Sequence, residues 1–99
     1  MNERNELILL YDYYGELLSE SQQKYFEDYY FNNLSLGEVS EELNISRNAV
    51  HKQLKSAVEK LYFYEEKLKM ISKNELLIKK INEIDDDKVK QELIDIIES

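Results

Sequence analysis

Residues 34–54, LSLGEVSEELNISRNAVHKQL, hold two short helical patterns with a turn between them. Ser35 and Glu38, three residues apart, form the S-x-x-E pattern of a capping box, which predicts a helix over about residues 36–43. Asn44 follows where the chain must turn, and Asn takes the left-handed conformation more readily than most residues. Ile45 then supplies an apolar plug for the turn. Ser46 is placed to cap the next helix, whose Val50, Leu54, Ala57 and Leu61 form a narrow stripe at helical periodicity. Ser40 puts a small side chain where the two helices cross. Val39, Leu43, Val50 and Leu54 are the residues expected to hold them together. The pattern is that of a helix-turn-helix.

The rest of the chain reads as helix around this unit. Leu7, Leu10, Tyr11, Tyr14 and Leu18 have amphipathic spacing, with Gly15 near the end of that first helix. Ser19 or Ser21 can cap a second helix whose apolar side holds Phe26, Tyr29 and Tyr30, and Asn32-Asn33 ends it. The fourth helix, starting after Ser46, has no sequence break before about residue 71. Ser72 and Glu75 match the capping box again, so a fifth helix is expected there, with Leu76, Leu77, Ile81 and Ile84 apolar. Asp85, Asp86 and Asp87 mark a break and a cap. Val89, Leu93, Ile96 and Ile97 mark the last helix. The expected architecture is all-α: residues 1–71 as a helix-turn-helix domain of about four helices, and residues 72–99 as a C-terminal helical hairpin. That hairpin has more Ile and Leu than it can hide by itself, so it either packs within the chain or joins two copies as a homodimer.

Composition agrees and excludes much. The chain has 99 residues, no proline and only 2 glycines, leaving little to interrupt helices. With no cysteine, disulfides and thiolate metal sites are impossible, which suits a cytoplasmic protein. The longest apolar run near the N-terminus is too short for a signal peptide or a membrane span. No glycine-rich phosphate loop, nucleophile arrangement or EF-hand spacing is present, and His51 is the only histidine. No enzyme, cofactor or metal is expected. Most of the 8 tyrosines are expected to fill the core with hydroxyls turned outward rather than to form a stacking platform.

Charge focuses the functional question. The chain carries 13 basic against 21 acidic residues, net −8. Its one locally basic stretch, residues 47–60, sets Arg47, Lys52, Lys55 and Lys60 against Glu59 and coincides with the second helix of the motif. Opposite the buried stripe lie Asn48, Lys52, Lys55 and Glu59, with Arg47 and His51 on the shoulder. In helix-turn-helix proteins such positions reach base edges and phosphates. Tight duplex binders make roughly 6–10 phosphate contacts, and four basic groups in an acidic chain fall short of that. A monomer is expected to bind duplex DNA weakly, and a dimer would double the count.

The segment LLSESQQKYFEDYYFNNLSLGEVSEELNISRNAVHKQLKSAVEKL resembles the fourth region of bacterial sigma factors, a wingless helix-turn-helix that reads promoter DNA. Residues 11–68, from YDYYGELL to YEEKL, are similar to the YlxM family of small helix-turn-helix proteins of Gram-positive bacteria and mycoplasmas. The YlxM resemblance implies a non-enzymatic cytoplasmic protein that assists the signal recognition particle, with the particle's GTPase or RNA as partners. The sigma resemblance carries a DNA-contacting face onto Arg47, Asn48, His51, Lys52 and Lys55, with sequence-specific regulation of transcription as the alternative function. After Leu54 the chain departs from the sigma pattern, because KSAVEKL has fewer arginines.

Overall fold

The computed structural model describes residues 3–99, and every regular element among them is helical. The elements are α1 (Glu3–Tyr14), α2 (Glu20–Phe26), α3 (Leu36–Leu43), α4 (Arg47–Leu68), α5 (Met70–Ile81) and α6 (Asp87–Glu98). The chain divides between Lys67 and Leu68 into two compact units.

In the first unit, α1 buries Leu7, Leu10 and Tyr14, as its periodicity requires. A 3₁₀ turn, Gly15–Leu17, ends it, and Leu18 beyond is buried. A β-carbon on Gly15 would lie 2.9 Å from the Tyr11 ring, so glycine is what lets that ring fold back. The Tyr11 ring in turn stacks on Phe26, with centroids 4.4 Å apart. Ser19, not Ser21, caps α2. Its hydroxyl accepts from the Gln22 N–H at 3.1 Å, and the Gln22 side chain accepts from the Ser19 N–H at 3.4 Å. Glutamine here completes the capping box as glutamate does elsewhere.

Two side chains of α2 act beyond their own helix. Buried Gln22 donates to Ser56 Oγ on α4 at 3.3 Å and accepts from Lys60 Nζ at 3.3 Å. Lys24 pairs with Asp28 at 3.2 Å and with Glu42 of α3 at 3.3 Å. Both pairs raise the Lys24 pKa. After Phe26 the helix widens into a π turn, Glu27–Phe31, in which the Asn32 N–H reaches back to the Glu27 carbonyl at 2.9 Å. Asn33 then turns left-handed at φ 57°, and Leu34 N–H bonds the Asp28 carbonyl at 3.0 Å. Nothing in the periodicity announced this π turn. Its effect is to bring Tyr29 and Tyr30 onto the helix-turn-helix core, with Phe26 and Tyr30 in ring contact at 4.5 Å.

Of the eight tyrosines only Tyr14 is fully buried; Tyr62 is exposed and the other six are half-buried, so they line the core more than they fill it. Tyr14 is buried and donates to Glu65 Oε1 of α4, while Tyr11 donates to Glu27. Ala57 and Leu61 extend the buried stripe of α4. Each large apolar side chain buried in this way contributes about 1.5–3 kcal/mol.

The second unit is the α5–α6 hairpin. Two expectations are corrected here. The fourth helix stops at Leu68 rather than near residue 71, because Lys69 adopts a left-handed φ of 56°. The next helix starts at once at Met70, so Ser72 lies inside it and donates to the Lys69 carbonyl at 3.3 Å instead of capping. The buried side of α5 is accordingly Ile71, Asn74, Ile78 and Ile81, while Leu76 and Leu77 face outward. Asp86 caps α6 as expected, accepting from Lys88 and Val89 N–H at 3.0 and 3.2 Å. Leu93 and Ile97 are half-buried, but Val89 and Ile96 are exposed.

The tyrosine environment carries a pH dependence. Burial, then the Glu27 carboxylate that accepts its hydroxyl, holds the Tyr11 phenol well above its ordinary value. Burial, then Glu6, raises Tyr62. Burial, then Tyr29 and Glu3, raises Tyr30. A folded pKa above the unfolded one stabilises fully below the unfolded value, about 10 for a phenol, and that stability is lost as pH climbs through the folded value. Urea midpoints are therefore expected to hold below about pH 10 and to fall above it. The fall should be shallower in Tyr11→Phe. An unchanged alkaline slope in that variant would contradict the assignment.

Candidate nucleic-acid interface

The turn between α3 and α4 is built from backbone hydrogen bonds that its sequence makes available. Ser35 and Glu38 form the capping box, at 3.1 Å for Glu38 N–H to Ser35 Oγ and 3.0 Å for the reverse bond. At the other end of α3, Asn44 stands at φ 56°, ψ 46°. Its N–H bonds the Glu41 carbonyl at 3.3 Å, and the Ile45 N–H bonds the Ser40 carbonyl at 3.0 Å. These are the two bonds of a Schellman motif, with Ile45 as its apolar residue. Ser46 Oγ accepts the Ala49 N–H at 3.1 Å and opens α4. Val39, Val50 and Leu54 form the buried crossing, and Leu43, Ile45, Leu36 and Leu34 pack around it.

That crossing leaves the outer side of α4 in solvent. Arg47, Asn48, His51, Lys52 and Lys55 are all exposed and lie within the first nine residues of the helix. The Arg47 guanidinium lies across α3, where a β-carbon on Gly37 would sit 2.7 Å from Nη2, so Gly37 makes room for it. No other side chain among the described residues forms an ion pair with Lys52 or Lys55. The fourth basic residue of the stretch points elsewhere: Lys60 reaches Gln22 on α2. The face thus offers three full positive charges rather than four, with Glu59 also on it and exposed. The first turn of α4 has no acid, so its positive dipole end is uncompensated.

Beside this face runs a groove of about 290 Å³ that sequence reading did not identify. Leu36, Leu54 and Val58 line it with apolar surface, and Tyr29 and Tyr30 contribute aromatic rings in edge contact at 5.0 Å. His51, Lys55 and Glu59 of α4 contribute its polar lining. The same two tyrosines line a second depression with Arg4, Asn33 and Glu38. The sequence favours the core over a stacking platform for these tyrosines, because the π turn that places the pair has no sequence signature. Among the described residues, no group of His, Cys, Asp or Glu is arranged to hold a metal, and no helix is long and apolar enough to cross a membrane.

A family model described as "Putative helix-turn-helix protein, YlxM / p13 like" matches residues 1–99. Among curated proteins, a relative from Caldanaerobacter subterraneus is 51% identical over 78 residues, covering 79% of this chain and 67% of its own. One from Fusobacterium nucleatum is 37% identical over 99 residues, covering 100% of this chain and 96% of its own. One from Listeria monocytogenes is 37% identical over 91 residues, covering 92% and 83% respectively.

The left-handed turn is open to a direct check. Asn44→Ala places a β-carbon in the left-handed region without the local hydrogen bonding of Asn, and is expected to cost about 1–2 kcal/mol. Asn44→Gly is expected to be neutral or slightly stabilising. Urea unfolding of both variants measures this, and an alanine variant as stable as the parent would contradict the Schellman assignment.

Proposed function

Because the chain belongs to the YlxM / p13-like helix-turn-helix family, we propose that it is a non-enzymatic regulatory adaptor that holds nucleic acid on the outer face of α4. The observation that carries this is the placement of Arg47, Lys52 and Lys55 at the start of α4. They are exposed, and Arg47 sits at a helix N-terminus, where a positive charge opposes the dipole. Local stability does not favour a cation there, whereas binding of a phosphate backbone does. The YlxM resemblance points to the signal recognition particle as the setting, with its RNA, its GTPase or both as partners.

A second reading is a sequence-specific regulator of duplex DNA. It is favoured by the capped α3, the Schellman turn and the free N-terminal half of α4, which together have the form of a reading unit. Two copies would strengthen either reading by doubling the cations. The hairpin supplies a surface for that pairing, with Leu76 and Ile96 65% and 69% exposed.

Three experiments test these proposals. Tagged protein is expected to retain the particle's RNA or its GTPase from purified components, and retention of neither would remove the pathway assignment. Three phosphate contacts give a log–log salt slope of about −2 to −3 per chain, and Lys52→Glu with Lys55→Glu is expected to flatten it by about 2. A slope indifferent to both changes would place the nucleic acid elsewhere. Sedimentation equilibrium is expected to show twice the chain mass, returning to one chain in Leu76→Glu/Ile96→Glu. A parent protein of single-chain mass would exclude the dimer.

A further inference from the structure

We propose that the groove beside α4 accepts one unpaired nucleobase that carries an exocyclic amine, with the neighbouring phosphates held by Lys52 and Lys55. This rests on the reading of α4 as a nucleic-acid face and specifies what that face selects.

The groove combines an aromatic side, Tyr29 and Tyr30, with an apolar lining of Leu54 and Val58. Its volume of about 290 Å³ is at the small end of ligand sites, which suits one flat ring system better than a cofactor. It shares His51 and Lys55 with the basic face, so a strand following the cations passes its opening. Base faces inside a duplex are covered by stacking and cannot enter. An unpaired base can, and stacking on aromatic side chains is how proteins bind such bases with little charge. That compensates for a face with only three full positive charges.

Glu59 decides which base. A carboxylate beside two cations weakens a pure phosphate site, and Glu59 has no ion-pair partner among the described residues. As a base reader it fits: it accepts hydrogen bonds from an exocyclic amine such as adenine N6 or cytosine N4. Guanine offers the same chemistry through its N2 amine, whereas uracil and thymine lack an exocyclic amine and set two carbonyl oxygens around their single N–H, which a carboxylate disfavours.

The test is fluorescence anisotropy with the full-length chain and three end-labelled RNA hairpins. One has a single unpaired adenosine in its stem, one has uridine at that position, and one is fully paired. DNA hairpins of the same design tell whether the base must come from RNA. The adenosine hairpin is expected to bind about tenfold tighter than the paired stem, within the range that stacking one base contributes. It is also expected to bind tighter than the uridine hairpin. Glu59→Gln, whose amide can both accept and donate, is expected to erase the adenosine–uridine difference. Val58→Glu, which fills the groove with charge, is expected to erase the preference over the paired stem, with helical content checked by circular dichroism. Equal affinity for bulged and paired stems overturns the proposal, as would follow if the groove received a protein side chain instead. Salt-dependent binding of the paired stem with no gain from the bulge removes this inference alone. Absence of binding to every hairpin removes the reading of α4 as well.

Discussion

Val39 meeting Val50 and Leu54 is the contact on which the remainder of the first unit depends. α3 is only eight residues long, too short to persist by itself in water, so packing must hold it. That packing is possible only because Asn44 turns the chain left-handed and returns α4 across α3 within three residues. The same crossing determines which residues of α4 stay outside. Burying Val50, Leu54, Ala57 and Leu61 turns Asn48, Lys52, Lys55 and Glu59 to solvent by helical geometry alone. The exposed face of α4 is thus a consequence of the core.

Electrostatics then separates shape from use. The chain is strongly acidic, and four of its acids serve caps and pairs: Glu38 in a capping box, Asp28 and Glu42 on Lys24, Asp86 at the start of α6. Lys60, which looks available in the sequence, is directed to Gln22. What remains on α4 is a small cationic patch on a molecule whose overall field repels nucleic acid. Such a patch favours contacts beyond phosphate neutralisation, and the tyrosine-lined groove lies where those contacts would be made.

Much of this was legible in the sequence, for identifiable reasons. Capping boxes and left-handed Asn act within a few residues, so Ser35, Glu38, Asn44, Ser46 and Asp86 could be placed from local pattern. Buried stripes on α1 and α4 repeat often enough to be read as well. Three features were not legible. The π turn at Glu27–Phe31 depends on hydrogen bonds that periodicity does not encode. The break at Lys69 comes from a residue that usually continues helices. Ser72 and Glu75 satisfy a capping pattern inside a helix, where the pattern has no capping role. The five residues of the candidate face were all found on the exposed side of α4, whereas the groove needed Tyr29 and Tyr30 positioned by the π turn.

The most direct test of the central claim is an amide chemical-shift titration of the isotopically labelled protein with an RNA or DNA hairpin at low salt. Perturbations are expected to concentrate at Arg47–Lys55 of α4 and at Tyr29 and Tyr30. Perturbations confined to α5 and α6, with α4 unmoved, would contradict the claim.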